Sequence, residues 1–248
     1  MRDASAILTN FGGRTSHASI ICREWNKCCV VGLKNATEIL QNGQEITIDC
    51  SNGENGYIYN GIIPYSKKEI DISNFKFRNN TKLMLNLASP DLAFKYHNFP
   101  INGIGLLRVE FIINNSIKVH PLALLNYETI KDDALHSEIK NIISGYNSPE
   151  EYYIYKFAHG ISKIATSVYP DPCIVRTSDF KSNEYAKLLG GKYYEPNEEN
   201  PMIGFRGASR YYSNFFKEAF ELECKALLLA INEFGLDNIK IMIPFVRT

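Results

Sequence analysis

Apolar residues recur with two different spacings along this chain, and the spacing predicts which segments are helices and which are strands. Ala18, Ile21, Cys22 and Trp25 follow one another at i, i+3, i+4 and i+7, which is typical of a half-buried helix. Short apolar runs between turn residues predict strands instead. In the first quarter of the chain the predicted strands are 6–8, 29–31, 45–49 and 56–59, and a second short helix is predicted at 36–40.

Beyond residue 80, predicted strands alternate with predicted helices. The strands are 82–87, 105–111, 173–177 and 239–244, and the helices are 90–96, 121–130, 134–144, 149–167 and 214–234. This alternation predicts parallel strands in a layered or closed α/β fold. The stretch before it is rich in Pro, Lys, Asp and Asn and has no period. We therefore predict domains at 1–61 and 81–248, joined by a linker at 62–80.

The second predicted domain is short for a closed α/β barrel. A complete eight-stranded barrel takes about 250 residues, whereas 168 residues follow residue 80 and contain four predicted strands. The chain also begins close to a core-like strand and stops soon after another. We therefore expect an incomplete (β/α)8 TIM-type barrel in a fragment of a longer protein, or in the product of a degraded reading frame.

Composition narrows the class of protein without identifying it. The 248 residues are 45% hydrophobic and carry no formal net charge, so no basic excess points to nucleic acid. No apolar run is long enough for a membrane span, and no signal peptide is apparent, so a cytoplasmic protein without a membrane partner is expected. The six cysteines lack Cys-x-x-Cys spacing, which favours buried, reduced thiols over a zinc site.

One histidine stands where a helix begins. Gly12 and Gly13 form a predicted turn, Thr15 or Ser16 is the predicted N-cap, and His17 lies in the first helical turn. Backbone N–H groups and the helix dipole favour an anion there, by about 0.3–1 kcal/mol per charge. A histidine at a helix start is more often a cap or a surface residue, so the position alone does not assign phosphate chemistry. The side chains that could bind phosphoryl oxygens are Arg14, Thr15 and Ser16.

Three arginines lie in separate parts of the second predicted domain. Arg108 and Arg176 end strands, Arg206 lies between glycines, and Asp179 comes three residues after Arg176. Strand ends carry the active site of α/β barrels, and guanidinium groups bind carboxylate and phosphate. Each arginine taken alone is more simply explained by a structural ion pair. No metal ligands are predicted. The acidic residues Glu195, Glu198 and Glu199 are expected to lie in a solvated loop and not in a metal site.

Segment 10–21 reads Asn-Phe-Gly-Gly-Arg-Thr-Ser-His-Ala-Ser-Ile-Ile and resembles the phosphohistidine segment of the PEP-utilising enzymes (PEP, phosphoenolpyruvate). The resemblance implies a partial swivelling phosphohistidine β/α domain followed by a barrel that binds PEP or pyruvate. It implies that His17 is the catalytic nucleophile and carries a phosphoryl group. It further implies that Arg108 and Arg176 bind the substrate with Arg206 beside them, and that Asp179 orients Arg176.

Segment 179–185, Asp-Phe-Lys-Ser-Asn-Glu-Tyr, together with 194–202, resembles the branch of that family called phosphoenolpyruvate synthase or pyruvate, water dikinase. That branch implies the reaction ATP + pyruvate + water → AMP + PEP + phosphate. It also implies Mg²⁺, an ATP-binding domain and a proton donor, none of which matches a position here, and it allows a homodimer of the full-length enzyme. A pyruvate phosphate dikinase-like enzyme and a non-catalytic remnant that keeps the fold are the alternatives.

Overall fold

The computed structural model describes residues 3–68 and 81–247, and the chain divides into two compact units, Met1–Ile70 and Asp71–Thr248. The predicted linker at 62–80 lies outside the described residues from position 69 onward. The predicted domain bounds therefore stay a prediction, and each unit is described by itself below.

The first unit contains every element that the apolar pattern predicts, with bounds that differ by at most one residue for the strands. Its elements are β1 (Ala6–Leu8), α1 (His17–Glu24), β2 (Cys28–Val30), α2 (Ala36–Ile39), β3 (Ile46–Asp49) and β4 (Tyr57–Asn60). Strands β1 and β2 are parallel, as the helical connection between them requires, whereas β3 and β4 form an antiparallel pair.

The second unit is built on a four-stranded sheet whose strands follow chain order. They are β5 (Leu85–Leu87), β6 (Ile104–Arg108), β7 (Cys173–Arg176) and β8 (Ile239–Met242). Each strand pairs in parallel with the next one along the chain. Because the strands are parallel, all four carboxyl ends lie at the same edge of the sheet.

Helices connect the strands of this sheet. They are α3 (Glu110–Ile112), α4 (Pro121–Leu125), α5 (Asp133–Ile142), α6 (Pro149–Ser167), α7 (Ser182–Tyr185), α8 (Ala208–Tyr211) and α9 (Lys217–Leu228). Within residues 81–247, 3₁₀ helices occur at Pro90–Tyr96, Tyr127–Thr129 and Gly191–Tyr193, and π-helical turns occur at Ile113–Ile117 and Leu229–Glu233.

The longest helix, α6, has the predicted bounds because its start is well specified. Ser148 accepts a hydrogen bond from the backbone N–H of Glu151 at 3.0 Å, and Pro149 occupies the first helical position. The helix buries Phe157 and Ile161 in the core of the second unit. It therefore forms one side of the layer that covers the sheet.

Several predicted elements of the second unit are wrong in extent. The strand predicted at 82–87 begins at Leu85, the strand predicted at 239–244 ends at Met242, and the helix predicted at 121–130 ends at Leu125 and is followed by a 3₁₀ turn. The strand predicted at 105–111 ends at Arg108, because Glu110 already begins α3. The helix predicted at 214–234 begins three residues later and passes into a π-helical turn after Leu228. Both segments are apolar enough to be buried as either structure, so their period alone could not place the boundary.

The architecture is therefore mixed α/β, and the sheet of the second unit is parallel, as expected. No helix within residues 3–68 or 81–247 combines the length and the apolarity that a membrane span needs.

Candidate functional site

The first turn of α1 is organised by short side chains around His17. Ser16 is the N-cap, and its hydroxyl accepts the backbone N–H of Ser19 at 3.4 Å. Ser19 in turn donates its hydroxyl to the carbonyl of Gly13 at 2.9 Å. Gly12 has a φ of +122°, a conformation that side chains rarely adopt, and a Cβ there would lie 3.2 Å from the Ser16 hydroxyl. The glycine turn thus allows the cap to close over the helix start.

His17 occupies the first position of this helix, and its side chain is exposed. Thr15, which precedes the cap residue, is exposed as well. The first turn of an α-helix leaves backbone N–H groups without partners inside the helix. An anion attached to the imidazole can therefore approach those groups from solvent. The site is open, which suits a group that must be presented to a reaction partner.

Arg14 lies in the same turn but is held by other interactions. Its guanidinium is 3.3 Å from the carboxylate of Glu54, and both side chains are more than 70% exposed. Arg23 donates to the backbone carbonyl of Arg14. Of the three residues predicted to support a phosphoryl group, Ser16 is thus engaged as the cap, while Arg14 and Thr15 remain accessible to solvent.

At the carboxyl edge of the second unit's sheet, Arg108 and Arg176 are neighbours. They are register partners at the ends of β6 and β7, and Met242 on β8 is the next partner in the same row. Arg108 is exposed and lies 5.2 Å from the ring centre of Phe111. Within residues 3–68 and 81–247, no carboxylate forms an ion pair with it.

Asp179 joins two of the predicted arginines. Its carboxylate accepts two hydrogen bonds from Arg206, at 2.9 and 2.8 Å, and lies 3.4 Å from Arg176. The Asp179 side chain is only 3% exposed. Asp179 therefore holds Arg206 more closely than Arg176, the residue that the resemblance implies it orients.

The closest carboxylate partner of Arg176 is Glu110, which was not among the predicted site residues. One oxygen of Glu110 accepts Arg176 at 2.7 Å and the backbone N–H of Asp179 at 2.8 Å. The other oxygen of Glu110 and Nε of Arg176 are buried without a partner among the described residues. The pair therefore fixes the guanidinium while leaving polar atoms that a ligand or water could satisfy.

A second buried carboxylate, Glu223 on α9, forms hydrogen bonds with the loop that follows β7. Its two oxygens accept the backbone N–H of Ser178 at 2.8 Å and the Ser178 hydroxyl at 2.7 Å. Tyr211 donates to the carbonyl of Ser178 at 2.6 Å, and Tyr185 donates to its hydroxyl at 3.0 Å. Burial raises the pKa of Glu223 to about 7. Only its position in a buried helix face could have signalled this role.

The position directly after Arg206 requires a glycine. Gly207 has a φ of +63°, and a Cβ there would lie 2.7 Å from the carbonyl oxygen of Pro244. The segment after β8 can approach so closely only because no side chain intervenes. Arg206 then stacks on Phe245 at 4.4 Å from the ring centre.

The expectation of a solvated acidic loop is wrong for Glu195. The side chain of this residue is fully buried, where it pairs with Arg210 and accepts a hydrogen bond from Nε2 of His120 at 2.9 Å. The other ring nitrogen of His120 accepts the backbone N–H of Leu122 at 3.2 Å, which caps α4. Burial lowers the pKa of His120, so it is neutral at pH 7. This cluster stabilises the fold, and no local signal marked Arg210 as the partner of Glu195.

The residues described in the structure do not fit a resident Mg²⁺ ion. Within 3–68 and 81–247, no group of three or more His, Cys, Asp or Glu side chains has the arrangement that would hold a metal. At the sheet edge, both oxygens of Asp179 face arginine, and so does one oxygen of Glu110. Three guanidinium groups against these two carboxylates leave one net positive charge, which favours an anionic ligand.

Comparison with known proteins agrees with the two units. Residues 1–53 match the family profile described as PEP-utilising enzyme, mobile domain, and residues 70–248 match the one described as PEP-utilising enzyme, PEP-binding domain.

Similar curated proteins are named phosphoenolpyruvate synthase. The one from Neisseria meningitidis serogroup B is 53% identical over all of this chain and 31% of its own length. Those from Helicobacter pylori and Escherichia coli are 50% and 47% identical, again over all of this chain, and are covered to 30% and 31%. The chain thus spans about a third of the length of the curated relatives it matches.

Proposed function

The chain belongs to the family of PEP-utilising enzymes, and we propose that it is the phosphoryl-carrier and substrate-binding part of a pyruvate, water dikinase. In that role it takes part in the conversion of ATP, pyruvate and water into AMP, PEP and phosphate. His17 carries the phosphoryl group, and the arginines at the sheet edge bind PEP or pyruvate. The observation that carries the proposal is the exposed imidazole of His17 at the first position of a capped helix.

The chemistry of His17 follows from its surroundings. A neutral imidazole is a competent nucleophile, and a covalent intermediate divides one difficult transfer into two easier ones. The nucleophilic nitrogen attacks the phosphorus of PEP, the bond from phosphorus to the enol oxygen breaks, and that oxygen leaves as the enolate of pyruvate. The phosphoryl oxygens then lie near the first-turn N–H groups and the accessible side chains of Arg14 and Thr15.

At the sheet edge, the three arginines have different roles because carboxylates hold them to different degrees. Arg108 is exposed and faces no carboxylate among the described residues, so its whole guanidinium can bind a carboxylate or phosphoryl group. Arg176 is held by Glu110 and Asp179 in a fixed orientation beside it. Arg206 is the most deeply engaged, and we assign it chiefly to holding Asp179 in place.

The order of the strands supports a barrel. Four parallel strands that pair in chain order, each reached through a helical connection, are typical of an arc of a (β/α)8 barrel. A doubly wound sheet would instead reverse its strand order at a switch point. We therefore propose that the second unit is part of a TIM-type barrel and that the first unit is a swivelling phosphohistidine domain. A cytoplasmic location, an ATP-binding domain, Mg²⁺ and a homodimer remain predictions about the longer enzyme.

Of the alternatives, a pyruvate phosphate dikinase-like enzyme differs in its second phosphoryl acceptor, which is phosphate instead of water. The relatives named above are phosphoenolpyruvate synthases, which supports water as the acceptor. A non-catalytic remnant would keep the fold and lose the reactivity of His17. Labelling of His17 therefore separates the remnant from the enzyme.

The proposal is tested by incubating the chain with PEP labelled on phosphorus and with Mg²⁺. Label that is stable in base and labile in acid, present in the wild type and absent from His17→Ala, is expected. His159→Ala is the matched control, because His159 is an exposed histidine in the second unit. Equal labelling of the wild type and His17→Ala would contradict the assignment of His17.

A further inference from the structure

Four of the six cysteines line one open cavity of about 690 Å³ in the first unit. Cys22 lies on α1, Cys28 and Cys29 are consecutive on β2, and Cys50 follows β3 directly. The cavity thus collects thiols from three elements that are separated along the chain. The role of His17 does not use any of them.

Interactions among these thiols link Cys29 with Cys22 and Cys50 with Cys28, and an electrostatic interaction also joins Cys29 to Cys50. The Cys29 thiol interacts with the side chain of Cys22 and with Ser19. The Cys50 thiol interacts with the side chain of Cys28 and with the backbone N–H of Cys29.

Exposure distinguishes the two pairs. Cys22 is fully buried and Cys29 is half-buried, and burial raises the pKa of the Cys29 thiol to about 11, so Cys29 is protonated at neutral pH. Burial also raises the pKa of the Cys50 thiol, so exposure and not acidity sets Cys28 apart. Cys28 is exposed, against the expectation of buried thiols, and Cys50 is half-buried. A reagent in solvent can therefore reach Cys28 first and find Cys50 beside it.

The lining of the cavity indicates which reagent fits. Arg14, Arg23 and Lys27 supply three cationic side chains, and Glu54 supplies one anionic side chain. This excess of positive charge favours an anionic reagent. The part of the chain described in the structure offers no metal-binding arrangement of three or more His, Cys, Asp or Glu side chains, so the thiols are not explained as a metal site.

We propose that Cys28 and Cys50 form a thiol modification site that takes a small anionic disulfide. The Cys28 thiolate attacks one sulfur of the disulfide, a new S–S bond forms, and the other half leaves as a thiolate. The Cys50 thiol then loses its proton and attacks Cys28, and the second half of the reagent leaves. In total, two protein thiols are oxidised to one disulfide and one small disulfide is reduced to two thiols.

Formation of this disulfide would restrain the residues at the start of α1. Cys29 interacts with Ser19, whose hydroxyl lies 3.1 Å from the Ser16 cap and donates to Gly13. A covalent link between β2 and the residue after β3 would restrain the strand that touches this network. The inference concerns the thiols alone and does not rest on the phosphoryl chemistry of His17.

The test uses the reduced chain and two probes, glutathione disulfide as the anionic reagent and cystamine as a cationic one. With glutathione disulfide, we expect an intact mass lower by two hydrogens and a non-reducing digest that contains a Cys28–Cys50 peptide. We expect cystamine to react about two- to fivefold more slowly at low salt, with the difference lost at high salt. Equal rates at low salt would overturn the charge selection.

Serine variants separate the two steps. Cys50→Ser should stop at a mixed disulfide on Cys28, and Cys28→Ser should react about tenfold more slowly than the wild type. Cys224→Ser is the matched control, because Cys224 is half-buried in the other unit, and it should behave as the wild type. A linked peptide in the wild type that joins any other pair, or unchanged reaction of Cys28→Ser, would overturn the proposal. The wild-type digest decides the pairing even if a variant fails to fold.

Discussion

The two candidate sites, one in each unit, are built in opposite ways. His17 is exposed at a helix start that short hydroxyl side chains organise, and the nearby pair of Arg14 and Glu54 is open to solvent. At the sheet edge, Asp179 and Glu110 are buried and fix Arg176 and Arg206 by several hydrogen bonds. A carrier must meet more than one partner and therefore stays accessible. A pocket for a small anion gains from preorganisation, which buried ion pairs supply.

The largest effect is expected from breaking the buried ion pair. Asp179→Ala leaves Arg206 without its carboxylate, and loss of one partner of a buried pair costs about 3–5 kcal/mol in free energy of unfolding. Glu54→Ala removes the exposed partner of Arg14 and should cost less than about 1 kcal/mol. Urea unfolding of both variants measures the contrast, and similar losses would contradict it.

The raised pKa of Glu223 predicts how the stability of the fold depends on pH. Its carboxyl has an ordinary pKa of 4.5, and burial raises that pKa to about 7 in the folded chain. Between these values the folded state holds a proton that the unfolded state has lost, so stability falls as pH rises from about 4.5 to 7. The fall from this group is about 3 kcal/mol.

Glu223→Gln should remove that fall, because glutamine does not titrate and can still bond to Ser178. Glu221→Gln, an exposed position on the same helix, is the control and should keep the wild-type pH dependence. Urea unfolding at pH 5 and pH 7.5 measures the difference. An equal slope in Glu223→Gln and the wild type would show that Glu223 is ionised throughout the range.

Arg108 tests binding without a change in stability. Its exposed guanidinium forms no described ion pair, so Arg108→Ala should leave the unfolding free energy within about 0.5 kcal/mol. Affinity for PEP should fall about 10- to 100-fold, as expected for one charge-assisted contact. Arg108→Lys should recover only part of the loss, because lysine lacks the planar fork. Calorimetric titration with PEP checks this, and unchanged affinity in Arg108→Ala would remove Arg108 from the pocket.

The smallest effect concerns the helix cap in the first unit. Ser16→Ala should cost about 1 kcal/mol of stability because it removes an N-cap acceptor. Thr15→Ala, at the exposed neighbouring hydroxyl, should cost less. Thermal unfolding of the two variants gives the comparison, and a larger loss for Thr15→Ala would place the cap one residue earlier.

Local signals in the sequence predicted the site around His17 better than the arginine site at the sheet edge. The N-cap at Ser16 and the helix from His17 follow from residues within one turn of each other, so the sequence carries them directly. The convergence of Arg108 and Arg176 also followed, because parallel strands end at one edge.

Partners distant along the chain could not be predicted in the same way. Glu223 reaches Ser178 from a helix 45 positions away, and Glu195 meets Arg210 inside the fold. A carboxylate has the same local signature whether it is buried or solvated, so the sequence favoured a solvated loop for Glu195. Only the packing of α9 and of the segment after α7 determines which carboxylates are enclosed.

The central claim is that the phosphoryl group of PEP passes to His17. The most direct measurement is the pyruvate that the chain releases from PEP in the presence of Mg²⁺, followed with a coupled dehydrogenase. The account predicts a single burst that approaches one equivalent of pyruvate per chain in the wild type and in His159→Ala, and no burst in His17→Ala. A burst of the same size in His17→Ala, or none in the wild type, would contradict it.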